Sequence, residues 1–474
     1  MPGLISQPKW PEGWPSFTPK DCNPKDTVSS DLKKAIIAEY GAEALRQAWI
    51  KTCNALSSVT SRIAATGVDS VPVFEYDEII SSGYKSNFDN EQALKRIRAV
   101  GCCIIRGVIP QEEATQHLED LQTFIAQNAD TITGWPKQTP AIFHLYESPV
   151  QLKLRTHPNQ LQLQRLLNSL FTDPTISPEE EKAQCEPILY PDALRVRQPG
   201  QDFDGLGPHI DGGSLSRWAD DEYRHTYHKI LSGHPEEYDP YDLSHRRVAK
   251  PSMFPGGAMC TVLRNFQGWT ALTECSPGEG GLMVMPDIHL ATAYMILRPF
   301  FKDPRHKDTD QGNDWKDPEK WELDDSSWFP GTYPMDAQLL SPASHPHLHL
   351  EDTLVSVPTV YPGDTIWWHA DELLVDKSLI VDLQMCHAVE TTHNGTRPAA
   401  VVYIPAAPST PDNKEYIRRH WRDLLAGNPP DDYKYLDGTG TELVLSKQNE
   451  RNMIGALPID TISAEGRRAL GEGV

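Results

Sequence analysis

The sequence predicts an α+β chain with a mainly β core, preceded by a helical extension. Two observations carry this. From about Leu189 onward, short β-rich runs alternate with Gly/Pro turns: Leu194–Arg197, Ala258–Leu263, Leu282–Met285, Thr353–Val357, Thr365–Trp368 and Ala399–Ile404. Many short strands punctuated by turn residues read as a sandwich or barrel. Upstream, Leu32, Ala35, Ile36 and Tyr40 recur at helical spacing, as on one face of an amphipathic helix.

The elements follow in chain order. Residues 1–30 are rich in Pro, Lys and Ser and read as an extended arm. Ser30 or Asp31 is placed to cap a helix running to about Leu56. Val71–Phe74 reads as a short strand, and Cys102–Val108 as a stronger one bounded by Gly101 and Pro110. Helices are expected at Glu112–Ala126 and Asn159–Phe171. The polar excursions 219–250 and 302–350 are too long for hairpin loops, so they should cover the barrel mouth or carry helices of their own. Asp431–Asp437, acidic and aromatic, reads as surface structure. The expected division is an arm and helix over 1–70 and one domain over 71–470.

Composition narrows the function classes. The chain has 474 residues and a net charge of −22, which argues against phosphate-backbone binding and so against a nucleic-acid partner. In such an acidic protein an anionic ligand needs a local positive site, so every Arg near a candidate centre matters. None of the eight cysteines forms a C-x-x-C pair, which leaves zinc ribbons and thioredoxin chemistry without support. No run approaches the roughly 18 apolar residues of a membrane span, and the first residues lack a signal-peptide core, so a cytoplasmic protein without a membrane partner is expected.

The chemistry centres on His209-Ile210-Asp211. In a strand, residues i and i+2 point the same way, so His209 and Asp211 can share one metal. A distant His would complete two imidazoles and one carboxylate on one face, leaving three cis positions open, as in non-haem Fe(II) oxygenases. His369 and His387 compete for that place. Arg397, ten residues beyond His387, is placed to grip the far carboxylate of a dicarboxylic co-substrate with a bidentate fork. Arg195 and Arg197 share one face of a strand and are either anion clamps or partners in wall ion pairs. Gln267 and Trp269 are candidates to face the pocket. The run His345-Pro346-His347-Leu348-His349 is a rival cluster, but Pro346 argues for a loop or edge, and its histidines read as surface or supporting residues. The nucleophile elbow of a Ser-His-Asp hydrolase, a phosphate loop and a dinucleotide fingerprint are all missing from the sequence.

A motif set runs through most of the chain, from about Val73 to Pro408: RVRQPG…GLGPHIDGGS…RW, NFQGWTAL, PGEGGLMVMP, LRPFF, PGDTIWWHAD and HAVE…YIPAAP. It resembles the YbiU-like family of unknown function, placed among the Fe(II)/2-oxoglutarate-dependent oxygenases, and more remotely the phytanoyl-CoA-hydroxylase type. The resemblance implies a double-stranded β-helix, or jelly roll, with flanking helices. It implies Fe(II) on His209, Asp211 and His387, 2-oxoglutarate on Arg397, and dioxygen as oxidant. It further implies oxidation of a C–H bond of a small polar substrate, an amino acid or related carboxylate of fungal-type secondary metabolism. Hydroxylation, desaturation and ring closure such as aziridine formation are the expected outcomes. Two alternatives stand beside it: a metal-dependent cupin-type enzyme that does not use 2-oxoglutarate, and an inactive jelly-roll binding protein. The number of subunits is left open.

The chain departs from the family pattern once. Leu373–Met385, thirteen mostly apolar residues, separates His369-Ala370-Asp371-Glu372 from Cys386-His387. A lid, a tolerated loop and a retained piece of gene sequence each account for it.

Overall fold

Two sheets face each other and carry the site between them. The computed structural model describes residues 10–11, 14, 27–81, 88–201, 206–210, 215–250, 253, 261–306, 314–332, 338–370, 385–433 and 449–474. The larger sheet has eight strands in the order Val73–Glu75, Cys102–Arg106, Thr365–His369, Phe266–Ala271, Ala399–Tyr403, Leu194–Arg197, Ile142–Phe143 and Gly134–Trp135. Its first pair is parallel and the rest antiparallel. The smaller sheet is antiparallel, in the order Gln338–Leu339, Leu206–Ile210, His387–Val389, Leu282–Val284 and Val355–Ser356. Together with the helices this is the α+β architecture expected.

Period-2 alternation sorts the side chains of the larger sheet into two cores. Leu194, Val196, Phe266 and Trp367 pack outward beneath the helices Gln111–Gln127, Pro149–Arg155 and Pro158–Asn168. Trp269, Ile366 and Trp368 turn inward and join Leu282, Met283 and Val284 of the smaller sheet. Trp367 needs its neighbour to be glycine. A Cβ on Gly268 would lie 2.6 Å from the Trp367 ring and 2.5 Å from the Ile366 carbonyl. Gly268→Ala is therefore expected to destabilise the fold by about 1–3 kcal/mol, the usual cost of overpacking, read as a lower urea midpoint.

The N-terminal helix is two helices. Thr27–Tyr40 stops at Gly41, whose φ of 88° ends the first helix, and Ala42–Thr66 begins a second. Helical periodicity passes through the break unseen. The second helix buries Leu45, Ala48, Trp49, Leu56 and Ile63 and packs on Ile288–Leu297. Trp49 stacks on Phe301 at 4.6 Å and Tyr294 at 5.3 Å.

Other expectations shift. The strand expected at Thr353–Val357 shortens to Val355–Ser356, because Leu350–Thr353 is a helical turn. The strand expected at Ala258–Leu263 lies outside the described residues up to Cys260, and Thr261–Leu263 is irregular, pinned by Asn413 rather than by a strand neighbour. The 219–250 excursion does carry short helices. Tyr433, expected at the surface, is buried and stacks on Tyr146 at 4.0 Å; residues 434–437 lie outside the described residues. So do Asp371–Gln384, which include all of the inserted segment except Met385. Among the described residues no helix is long and apolar enough to cross a membrane.

Candidate active site between the sheets

His209 and His387 are directly opposite each other on adjacent antiparallel strands. Their ring centroids are 4.1 Å apart, and the Trp368 ring of the facing sheet lies 6.1 Å from His387. Both imidazoles are buried. His209 Nδ1 donates to the Gly207 carbonyl at 2.6 Å, and His387 Nδ1 to the Met385 carbonyl at 3.1 Å. A backbone carbonyl can only accept, so in each ring the proton sits on Nδ1 and the lone pair on Nε2. His387 Nε2 is buried with no hydrogen-bond partner among the described residues. Burial pushes the His209 pKa down to about 4, and His387 falls well below the usual imidazole range for the same reason, with His209 beside it adding to the effect. Two neutral imidazoles that share the same tautomer and sit side by side suit a shared electrophile such as a metal ion. Asp211, the expected carboxylate partner, lies outside the described residues.

His369, the rival third donor, faces the other way. It ends the strand Thr365–His369 one residue beyond Trp368, so alternation turns it into the outer core. There Nε2 donates to the Pro240 carbonyl at 2.8 Å and the ring packs against Phe171 and Tyr241.

The arginines divide as well. Arg397 lies on the exposed turn before the last large-sheet strand. Its side chain is 63% exposed and pairs with Glu274 at 2.9 Å. The ten-residue spacing from His387 is present, but the turn directs the guanidinium to solvent. Arg195 and Arg197 are instead buried at 3% and 0% exposure, on the inward face of their strand. Arg197 Nη1 donates to the Glu390 carbonyl at 2.7 Å, and Nη2 reaches the Thr391 carbonyl. Burial, with Arg195 alongside, lowers its pKa to about 10. Among the described residues Arg195 has one hydrogen bond, a long one of 3.4 Å from Nη2 to the Gly280 carbonyl, and its Nε has none. No carboxylate pairs with it among the described residues, so the wall ion pair offered by the sequence is not formed there.

Gln267 and Trp269 are both buried on the inward face. Gln267 is committed to neighbours: Nε2 donates to Asp192 at 3.1 Å and Oε1 accepts from Arg264 at 3.4 Å. Trp269 is wall, paired across the sheet with Ile366 and Tyr403.

Sequence reasoning missed the role of Glu390. Its carboxylate accepts from the backbone N–H groups of Gly278, Gly280 and Gly281, each at 2.9 Å, and from Ser356 Oγ at 2.6 Å. This locks the Gly-rich turn to the end of the His387 strand and holds the Gly280 carbonyl under Arg195. A Cβ on Gly280 would approach Arg197 Nη1 to 3.0 Å, so the turn is glycine for closeness as well as for its φ of 80°. The signal was available: three glycine amides in Pro277-Gly-Glu-Gly-Gly281 need an acceptor.

The His345–His349 run is not at the surface. His345 and His347 are buried beside Trp49, Tyr294, Trp321 and Arg298. Burial holds His345 well below its ordinary range and His347 at about 3; His369 is lowered in the same way. Five buried imidazoles thus fold neutral. Between the ordinary value of 6.5 and these depressed values the unfolded chain takes up protons that the folded chain refuses. The stability these rings contribute is complete above about 6.5 and is lost as pH falls, by up to about 1.4 kcal/mol per imidazole per pH unit. Glu450, raised to about 8 by burial, acts in the opposite sense, as do the raised carboxyls of Asp287 and Asp364, three groups against these five. The melting temperature of the metal-free protein is expected to drop steeply from pH 6.5 towards pH 4; a flat profile would contradict the neutral rings.

The Gig2-like family model matches residues 24–472. The chain belongs to the Gig2-like family. This Gig2-like chain is 28% identical over 410 residues to the uncharacterised protein YbiU of Escherichia coli K12, covering 84% of the chain and 85% of YbiU. It is similar to the crystal structure of Candida albicans GlcNAc-inducible protein Gig2, with 25% identity, a TM-score of 0.77, and 95% and 90% of the two chains covered. A Salmonella typhimurium LT2 structure named as a candidate oxidoreductase is similar at 25% identity and a TM-score of 0.75, covering 95% and 98%. The relationship spans both sheets and the helices around them.

Proposed function

We propose that this Gig2-like protein is a non-haem Fe(II)- and 2-oxoglutarate-dependent oxygenase built on a jelly roll, acting on a small polar substrate that carries a carboxylate. One observation supports this above the others. Two buried neutral imidazoles, and a buried arginine with no carboxylate partner among the described residues, lie on the inward faces of the two sheets. The residues fit a metal: both Nδ1 atoms are tied to carbonyls, and the buried Nε2 of His387 has no hydrogen-bond partner among the described residues. His209, Asp211 and His387 would hold the iron. Bound iron with 2-oxoglutarate and dioxygen supplies C–H oxidation coupled to decarboxylation of the co-substrate to succinate.

The protein's own part is holding and orienting. The Gly207 and Met385 carbonyls fix the imidazoles in the donating tautomer. Arg195, rather than the exposed Arg397, grips the distal carboxylate. Gly280, whose carbonyl Arg195 touches, neighbours Glu390, three residues along the strand from His387. At roughly 3.3 Å per residue that is about 10 Å, a span that a five-carbon dicarboxylate can bridge between a metal and a guanidinium. Trp368, Trp269 and Ile366 wall the space and exclude water.

The test is an anaerobic titration with Fe(II) and then 2-oxoglutarate, followed by a screen of small amino and hydroxy acids for succinate release. The expected result is stoichiometric iron, a weak visible charge-transfer band on adding 2-oxoglutarate, and succinate with at least one acid. Iron binding with no response to 2-oxoglutarate would favour the cupin-type enzyme, and no iron binding the inactive binding protein.

A further inference from the structure

A second group of donors lies outside the two sheets, on the 219–250 excursion. Glu222 and His225 stand three residues apart on the short helix Asp221–Thr226, which places them on one face. His245 comes to the same place from the turn that opens the helical turn Arg246–Val248. Glu222 Oε2 and His245 Nδ1 are 2.8 Å apart, and the rings of His225 and His245 are 5.3 Å apart. One ligand atom from each residue fits within a sphere where all lie within 4.8 Å of one another, and among the described residues no other group of three does so.

We propose that Glu222, His225 and His245 form a surface site for a divalent transition metal, with zinc the best match. Two imidazoles and one carboxylate are a zinc donor set, and water completes the tetrahedron. Mg²⁺ and Ca²⁺ prefer all-oxygen shells and are disfavoured. Zinc needs donors about 2.0–2.2 Å from the metal, which sets tetrahedral donors roughly 3.3–3.6 Å apart, so the 2.8 Å Glu222–His245 hydrogen bond must open and the wider separations, up to 4.8 Å, must close. The side chains of Glu222 and His245 are about half exposed and free to do so. The site acts as a clip. It joins the helix Asp221–Thr226 to the turn holding Arg246, whose buried guanidinium donates to Tyr238 Oη at 2.6 Å and lies over the Tyr227 ring. Closing it restrains the residues between 225 and 245. It is independent of the iron reading, because none of its residues faces the inter-sheet space.

The experiment uses the full chain, stripped with chelator and dialysed against Zn²⁺ alone, with bound metal counted by mass spectrometry. His209→Ala/His387→Ala serves as background so that the inter-sheet site does not contribute. One zinc per chain is expected in that background. His225→Ala and His245→Ala should each weaken it at least tenfold, and Zn²⁺ should raise the melting temperature only when both histidines are present. No zinc in the background, or zinc unaffected by His225→Ala and His245→Ala, would overturn the site. If the background does not fold, the unaltered chain should bind one more zinc than the His225→Ala chain; equal stoichiometry would overturn it equally. Failure of the iron reading leaves these counts unchanged.

Discussion

Arg195→Ala is expected to weaken 2-oxoglutarate binding about thirtyfold or more while leaving iron occupancy near that of the unaltered protein. Arg195 is buried on the inward face with one long hydrogen bond to the Gly280 carbonyl and no carboxylate partner among the described residues. Truncating one member of a buried charge pair costs about 2–5 kcal/mol, and each 1.4 kcal/mol is about a factor of ten. Arg195→Lys should rescue poorly, since an ammonium cannot reproduce the two-point fork. Arg397→Ala should change the affinity little. Its partner is Glu274 at the surface, and such exposed pairs are worth under about 1 kcal/mol even to stability. The measurement is the apparent affinity for 2-oxoglutarate under anaerobic conditions with Fe(II) bound. A large loss in Arg397→Ala with none in Arg195→Ala would return the role to Arg397.

His387→Ala and His209→Ala should each reduce bound iron to near background after anaerobic reconstitution. Each removes one of the two imidazoles that face each other across the strand pair, and a site of three protein donors has none to spare. His369→Ala is the informative comparison. It should keep its iron but lose about 2–4 kcal/mol of stability, because it empties a packed site between Phe171, Tyr241 and Phe266 and frees the Pro240 carbonyl. Iron content by mass spectrometry and urea denaturation separate the two effects. Iron lost in His369→Ala but retained in His387→Ala would reverse the assignment.

The inserted segment ends two residues before His387. Leu373–Gln384 lie outside the described residues, yet Met385, its last residue, is buried and supplies the carbonyl that orients His387. Any residue offers a carbonyl, so this does not forbid a shorter chain. It does require that an excised chain bring another backbone group to the same place.

Much of this protein was legible in one dimension because it depends on local periodicity. The Leu194–Arg197, Thr365–Trp368 and Ala399–Ile404 runs are strands to within a residue, because apolar β-branched and aromatic runs bounded by turns suit little else. The pairing of His209 with His387, 178 positions away, could be named from motifs but not measured. Which histidine turns inward depends on the phase of a two-residue alternation, and a shift of one residue sends a side chain to the opposite face. Trp368 points in and His369 points out for that reason alone. Arg397 shows the same limit from the other side. Its spacing from His387 is right, but a turn sets its direction, and that direction leaves it in solvent while Arg195 on a neighbouring strand occupies the interior. Burial is likewise a property of the assembled whole. His345 and His347 look like loop residues beside Pro346, and become core only because Trp49, from a helix some 300 positions earlier, closes over them. Composition and pattern settle residue chemistry and element type; the meeting of distant segments settles which side chains share a space and which of them lose their water.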